Sequence, residues 1–141
     1  MISIEQYFGK YTTKHKDVTP SRYANAQRLL GKVNSLMQTL IQKGVEFPVN
    51  PVTKSQISGD KNGGFRPQDC PIGASNSAHK ECMAVDIYDP KGEIDDYLNH
   101  NPEAIEVIND LDMYFEALPY TTGWSHMQIR RTASGRRFFI P

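Results

Sequence analysis

The chain has 141 residues, a formal net charge of zero and a pI near 6.9. That length is the size of one domain and buries a core without help from disulfides or metal. Neutrality excludes bulk attraction to nucleic acid or to an anionic membrane, no apolar run is long enough to span a bilayer, and Cys70 and Cys82, the only cysteines, make no disulfide framework.

Residues 1–18 are polar and are expected to be loosely ordered, with Ile2 to Phe8 able to form a short helix or docking segment. The run MISIEQYFGKYTTKHK lacks a charged region followed by an apolar one, so cytoplasmic synthesis without a signal peptide is expected. Thr19-Pro20-Ser21 is a helix-start signal. Leu29, Leu30, Val33, Leu36, Met37, Leu40 and Ile41 then recur at helical spacing, and Lys43-Gly44 closes the run. This predicts one long amphipathic helix over 21–43. Val45 to Pro51 reads as an extended link, Val52 to Ser58 as a strand, and Gly59 to Gly64 as a turn cluster that lacks the phosphate-loop pattern. Phe65 to Ser77 is a polar loop.

The short apolar run Met83 to Tyr88 reads as a buried strand, and Asp89 to Gly92 as a turn. Ile94 to Leu98 and Pro102 to Leu111 read as helices, the second capped by Asn101. Met113 to Leu118 and Trp124 to Arg130 read as strands joined by a turn, and Phe138 to Ile140 as a final short strand after a basic turn. The fold class is α+β: a small antiparallel sheet with one long N-terminal helix and two short helices on one side. A single domain over 19–141 is expected, preceded by the 1–18 segment.

Asp86 lies inside the buried run, where a carboxylate is costly unless it is paired or holds a metal. His79 stands seven residues before it, and His126 sits in the later strand. Two histidines and one aspartate are a usual ligand set of catalytic zinc, with the fourth position open. The rival set is a closed structural zinc site of Cys70, His79, Cys82 and His126, which leaves Asp86 unexplained.

Three motifs together, Gly64-Phe65-Arg66, Ser77-x-His79-x6-Asp86 and Trp124-x-His126, resemble the zinc D-alanyl-D-alanine carboxypeptidase and L-alanyl-D-glutamate endopeptidase family. The resemblance runs from about residue 25 to the C-terminus, and the closing run looks most like bacteriophage and prophage members. It implies a hedgehog/DD-peptidase-like fold and a Zn2+-dependent hydrolase of peptidoglycan stem peptides. It also implies Arg66 as the group that binds a substrate carboxylate or stabilises the oxyanion, with Ser77 and Trp124 near substrate. Such a protein acts as a monomer on the cell wall after release or delivery by phage, without nucleic acid or membrane as partner.

The family's general base, three residues before the last zinc histidine, falls here on Gly123. Glu116 is the expected replacement, because a hairpin through Pro119 to Gly123 lays its segment beside that of His126. Register decides whether Glu116 faces the metal or points away. Asp69 and Glu81 are rivals on loops. The alternative is a catalytically impaired, zinc-stabilised module that grips peptidoglycan or serves in a virion. Arg130, Arg131, Arg136 and Arg137 form a basic patch that reads as a solvated face.

Overall fold

All 141 residues are described by a computed structural model. Their order is α1 (Ile4–Phe8), α2 (Pro20–Gln42), β1 (Ala84–Asp89), α3 (Glu93–His100), α4 (Pro102–Leu111), β2 (Tyr114–Glu116), β3 (Gly123–Gln128) and β4 (Phe138–Phe139). Short 3-10 turns lie at Gly9–Tyr11 and Ala78–Glu81. The class is α+β, as the sequence pattern predicts. No helix is long and apolar enough to cross a membrane.

Helix α2 starts where its sequence says it should. The Thr19 hydroxyl accepts from the Arg22 N–H, and Pro20 takes the first turn, where no N–H is needed. Ala26, Leu29, Leu30, Val33, Leu36, Met37 and Leu40 are buried along one face. Ile41, expected in the same stripe, is 48% exposed. It lies at the margin of the stripe, about 100° of rotation past Leu40.

The strand order is β1-β3-β2-β4. β1 and β2 each run antiparallel to β3, whereas β2 and β4 are parallel. The expected purely antiparallel sheet is therefore corrected to a mixed one. The chain reverses after β3, so β4 runs against β3, and β2, already opposed to β3, stands between them. Side chains alternate across the sheet. Val85, Ile87, Phe115 and Met127 join the core with residues of the helices. Asp86, Trp124, His126, Gln128 and Glu116 are left on the other face.

The strand expected at Val52–Ser58 is absent; turns and two isolated bridges stand in its place. Side chains of Asn50, Thr53 and Ser55 bond to nearby backbone groups and compete with a ladder. The segment still covers the free edge of β1: Tyr88 N donates to Gln56 O, Ser58 N to Asp86 O, and Asp86 N to Gly63 O.

Residues 1–18 do not stay loose. Ser3 and Gln6 cap α1 reciprocally, and Ile2, Tyr7 and Phe8 are buried in the core. The Tyr7 hydroxyl donates to Ala84 O at 2.9 Å, and Phe65 N donates to Tyr7 O at 3.2 Å. Burial of three apolar side chains outweighs the ordering cost of a short segment. The approach is close enough to require glycine: a Cβ on Gly64 would sit 2.1 Å from Tyr7 O.

Candidate metal centre

The register of β1 and β3 sets Asp86 directly opposite His126. The third member comes from the 3-10 turn before β1. Ser77 starts that turn, its hydroxyl accepting from the His79 N–H at 3.2 Å. Cys82 ends it at φ +58°, in the left-handed region. That conformation favours glycine.

The three side chains meet on one oxygen. Asp86 Oδ1 lies 2.9 Å from His126 Nδ1 and 3.3 Å from His79 Nε2. Second partners fix the tautomers. His79 Nδ1 donates to Gly64 O at 2.8 Å, which leaves the Nε2 lone pair of the neutral ring facing Asp86. Gln128 Nε2 donates to Arg130 O at 2.7 Å, so its Oε1 turns to His126 Nε2 at 2.8 Å and accepts from it. The neutral His126 ring then presents the Nδ1 lone pair to the same carboxylate oxygen. Two imidazole lone pairs and a carboxylate aimed at one point repel one another unless a cation lies between them. The donor set and its convergence fit a metal ion, and His79, Asp86 and His126 are the residues able to hold it.

Electrostatics agree with this arrangement. Burial works to raise the Asp86 carboxyl, but the charges and hydrogen bonds of His79 and His126 outweigh it and hold it well below the usual carboxylate range. Burial lowers His79. It also works to lower His126, but the hydrogen bond and charge of Asp86 prevail and hold that ring above its ordinary value. In the metal-free protein the Asp86 carboxylate thus favours the protonated form of His126.

Arg66 does not stand free in its loop. It is buried; Nε donates to Asn62 O at 2.7 Å, Nη1 to Ile72 O at 3.4 Å, and Nη2 to Asp86 Oδ2 at 3.2 Å. The last contact fixes the second carboxylate oxygen. Arg66 also lines a cleft of about 350 Å³ with Trp124, Ile72, Lys61 and Asp86. Trp124 is half-buried at this cleft rather than in the core.

Glu116 is on the same face as the ligands, because Phe115 pairs with Met127 on the core side. Its Oε1 lies 3.9 Å from His126 Nδ1. Burial raises its pKa, the charge of His126 acts against that, and Asp86 adds to the rise. The rivals lie elsewhere: Glu81 pairs with Arg22 at 3.5 Å, and Asp69 is exposed. Gly123 adopts φ +92° with open space around the position of a Cβ.

The four-ligand cysteine set is corrected. Cys70 and Cys82 are free thiols outside the cluster. Cys82 faces the core, where burial pushes its thiol up to about 12. Sequence reasoning missed Gln128 and the Gly64 carbonyl. Gln128 carried one signal, its place two residues after His126 on the same strand face; a backbone carbonyl carries none.

No family model, curated protein or solved structure matches the chain. What fold and site define is a class: a small α+β protein with a buried His–Asp–His cluster suited to a metal ion.

Proposed function

We propose that this protein is a zinc-dependent peptidase that cleaves peptidoglycan stem peptides, as a D-Ala-D-Ala carboxypeptidase or an endolysin-type endopeptidase. The convergence of His79 Nε2 and His126 Nδ1 on Asp86 Oδ1 carries the reading. Ligands of tetrahedral zinc bonded at about 2.0–2.1 Å stand about 3.4 Å apart; the two rings lie 3.3 Å and 2.9 Å from Asp86 Oδ1, and all three donor atoms lie within 4.8 Å of one another. Motif resemblance to the peptidoglycan peptidases supports the substrate class.

When bound, zinc supplies a Lewis acid that polarises a carbonyl and acidifies water. The chain's own residues do the rest. Arg66 and the Gly64 carbonyl hold Asp86 and His79 in position. Glu116 takes the proton of the attacking water and passes it to the leaving amine, and its raised pKa suits that exchange. Trp124 and Ile72 wall the cleft that receives the peptide. Synthesis in the cytoplasm is followed by release or delivery to the wall.

A second reading is a module that binds zinc and peptidoglycan without cutting it, favoured by the absence of an acid at Gly123. Mass spectrometry of muropeptides, after incubating purified peptidoglycan with zinc-loaded protein, separates the two. New stem-peptide fragments that vanish with chelator support the peptidase. Intact peptidoglycan that still pulls down the protein supports the module. His79→Ala and Asp86→Ala are expected to lose stoichiometric zinc by metal analysis; full zinc content in both refutes the ligand assignment.

A further inference from the structure

We infer that the cleft beside the C-terminal arginines is a subsite for a carboxylate of an acidic peptide, placed so that the bound chain runs across the metal cluster. This rests on the peptidase reading and deepens it by naming a substrate feature.

Charge is unevenly distributed along this neutral chain. Residues 86–116 carry ten Asp and Glu against one Lys, whereas residues 117–141 carry four Arg and no Asp or Glu. Arg137 is engaged: it pairs with Asp112 at 2.6 Å and lies over the Tyr114 ring. Arg130, Arg131 and Arg136 are different. They line a cleft of about 640 Å³ with Gln128, Phe138 and Phe139, and none of the three guanidinium groups makes an ion pair or a hydrogen bond within the chain. Three arginines without partners that line one concavity offer the paired N–H donors that bind a carboxylate. The phenylalanines supply an apolar wall for the adjoining methylenes. The volume suits one or two residues of peptide.

The cleft adjoins the cluster through two of its lining residues. Gln128 lines it and bonds His126, and the Phe139 ring, also in its wall, stands 5.8 Å from the His126 ring. The cleft of Trp124 and Ile72 lies the other way. Trp124 and Gln128 are each two residues from His126 on one strand face, so the two clefts open at opposite ends of β3 from the ligand. Two residues of strand span about 6.6 Å, close to the reach of a dipeptide. A peptide whose carboxylate is held by the arginines therefore passes over the cluster and continues towards Trp124, and the bond above the metal is internal to the chain. A nucleic acid is the weaker fit, because the cations surround a concavity instead of forming an extended stripe.

The test uses zinc-loaded protein and two fluorescent peptides, L-Ala-γ-D-Glu-L-Lys-D-Ala, linked through the glutamate side chain, with the glutamate α-carboxyl free or amidated. Anisotropy in the first seconds reads binding, and initial rates read turnover. The wild type is expected to bind the free acid about tenfold or more tightly than the amide. Arg131→Gln with Arg136→Gln, both exposed, is expected to abolish that preference, raising KM for the acid peptide while leaving kcat and the amide peptide within about twofold. Raising salt on the wild type gives the same loss without a variant. Equal binding of acid and amide by the wild type overturns the proposal, as does a double variant that keeps the preference, or tighter binding of a single-stranded oligonucleotide than of the acid peptide. Arginine-dependent acid binding with no hydrolysis supports the cleft and sinks the peptidase reading; hydrolysis without acid preference does the reverse.

Discussion

Replacing Arg66 with methionine removes the charge against Asp86 and keeps an apolar stem. The pair is well shielded, with side chains 10% and 13% exposed. All three guanidinium nitrogens are engaged with Asn62, Ile72 and Asp86. Breaking one member of a buried pair costs about 3–5 kcal/mol, because the other charge is left uncompensated. Both histidines still face Asp86, so the low end, about 3 kcal/mol, applies to the metal-free protein. For a chain of this size each kcal/mol moves Tm by about 4 °C, which gives a fall of roughly 12 °C. A bound dication provides Asp86 with another counter-charge, so the loss is smaller in zinc-loaded protein. Scanning calorimetry of wild type and Arg66→Met, with chelator and with zinc, measures both. A metal-free Tm within about 1 °C of wild type, or an equal fall with and without zinc, refutes the reasoning. The sequence alone suggests the opposite, a loop arginine whose loss spares stability.

Glu116→Gln keeps the fold and zinc and loses about 10²–10⁴-fold in turnover of stem peptides; a wild-type rate shows that the base is another group. A thiol reagent near neutral pH is expected to label only Cys70 in the native protein and both cysteines after unfolding, because the Cys82 thiol is buried and pushed up to about 12. Two fast thiols in the native state contradict this packing. Asp95 offers a pH test. Burial holds its carboxyl above the usual range, with Asp89 adding to the rise, so the folded state binds that proton more tightly than the unfolded one. The cost of ionising it is complete above the raised value and disappears as pH falls below the unfolded value of about 3.9. Asp95→Asn, which keeps an acceptor for the Thr121 hydroxyl, is therefore more stable than wild type at about pH 7 in urea unfolding, with the gap closing towards about pH 4. A gap that widens in acid reverses the sign.

Local patterns were legible because they depend only on neighbours along the chain. The three- and four-residue spacing of Leu29, Val33, Leu36 and Leu40 determined α2. Asn101 before Pro102 marked the start of α4. The apolar run around Asp86 marked β1, and the cost of a carboxylate there pointed to a partner before any partner was visible. The identities of His79 and His126 were equally plain. Their geometry was not, because it is made by contacts between residues far apart in sequence. Asp86 meets His126 across 40 residues of sequence in the register of β1 with β3, and the separate register of β2 with β3 turns Glu116 to the ligand face. The His79 tautomer depends on Gly64 O, held where α1 packs against Gly64. The mixed sheet follows from where the chain returns after β3. Arg66 pairs with Asp86 only because the folded chain encloses the two side by side. Periodicity encodes which face of an element is apolar; only tertiary packing sets the distances that turn two histidines and an aspartate into one site.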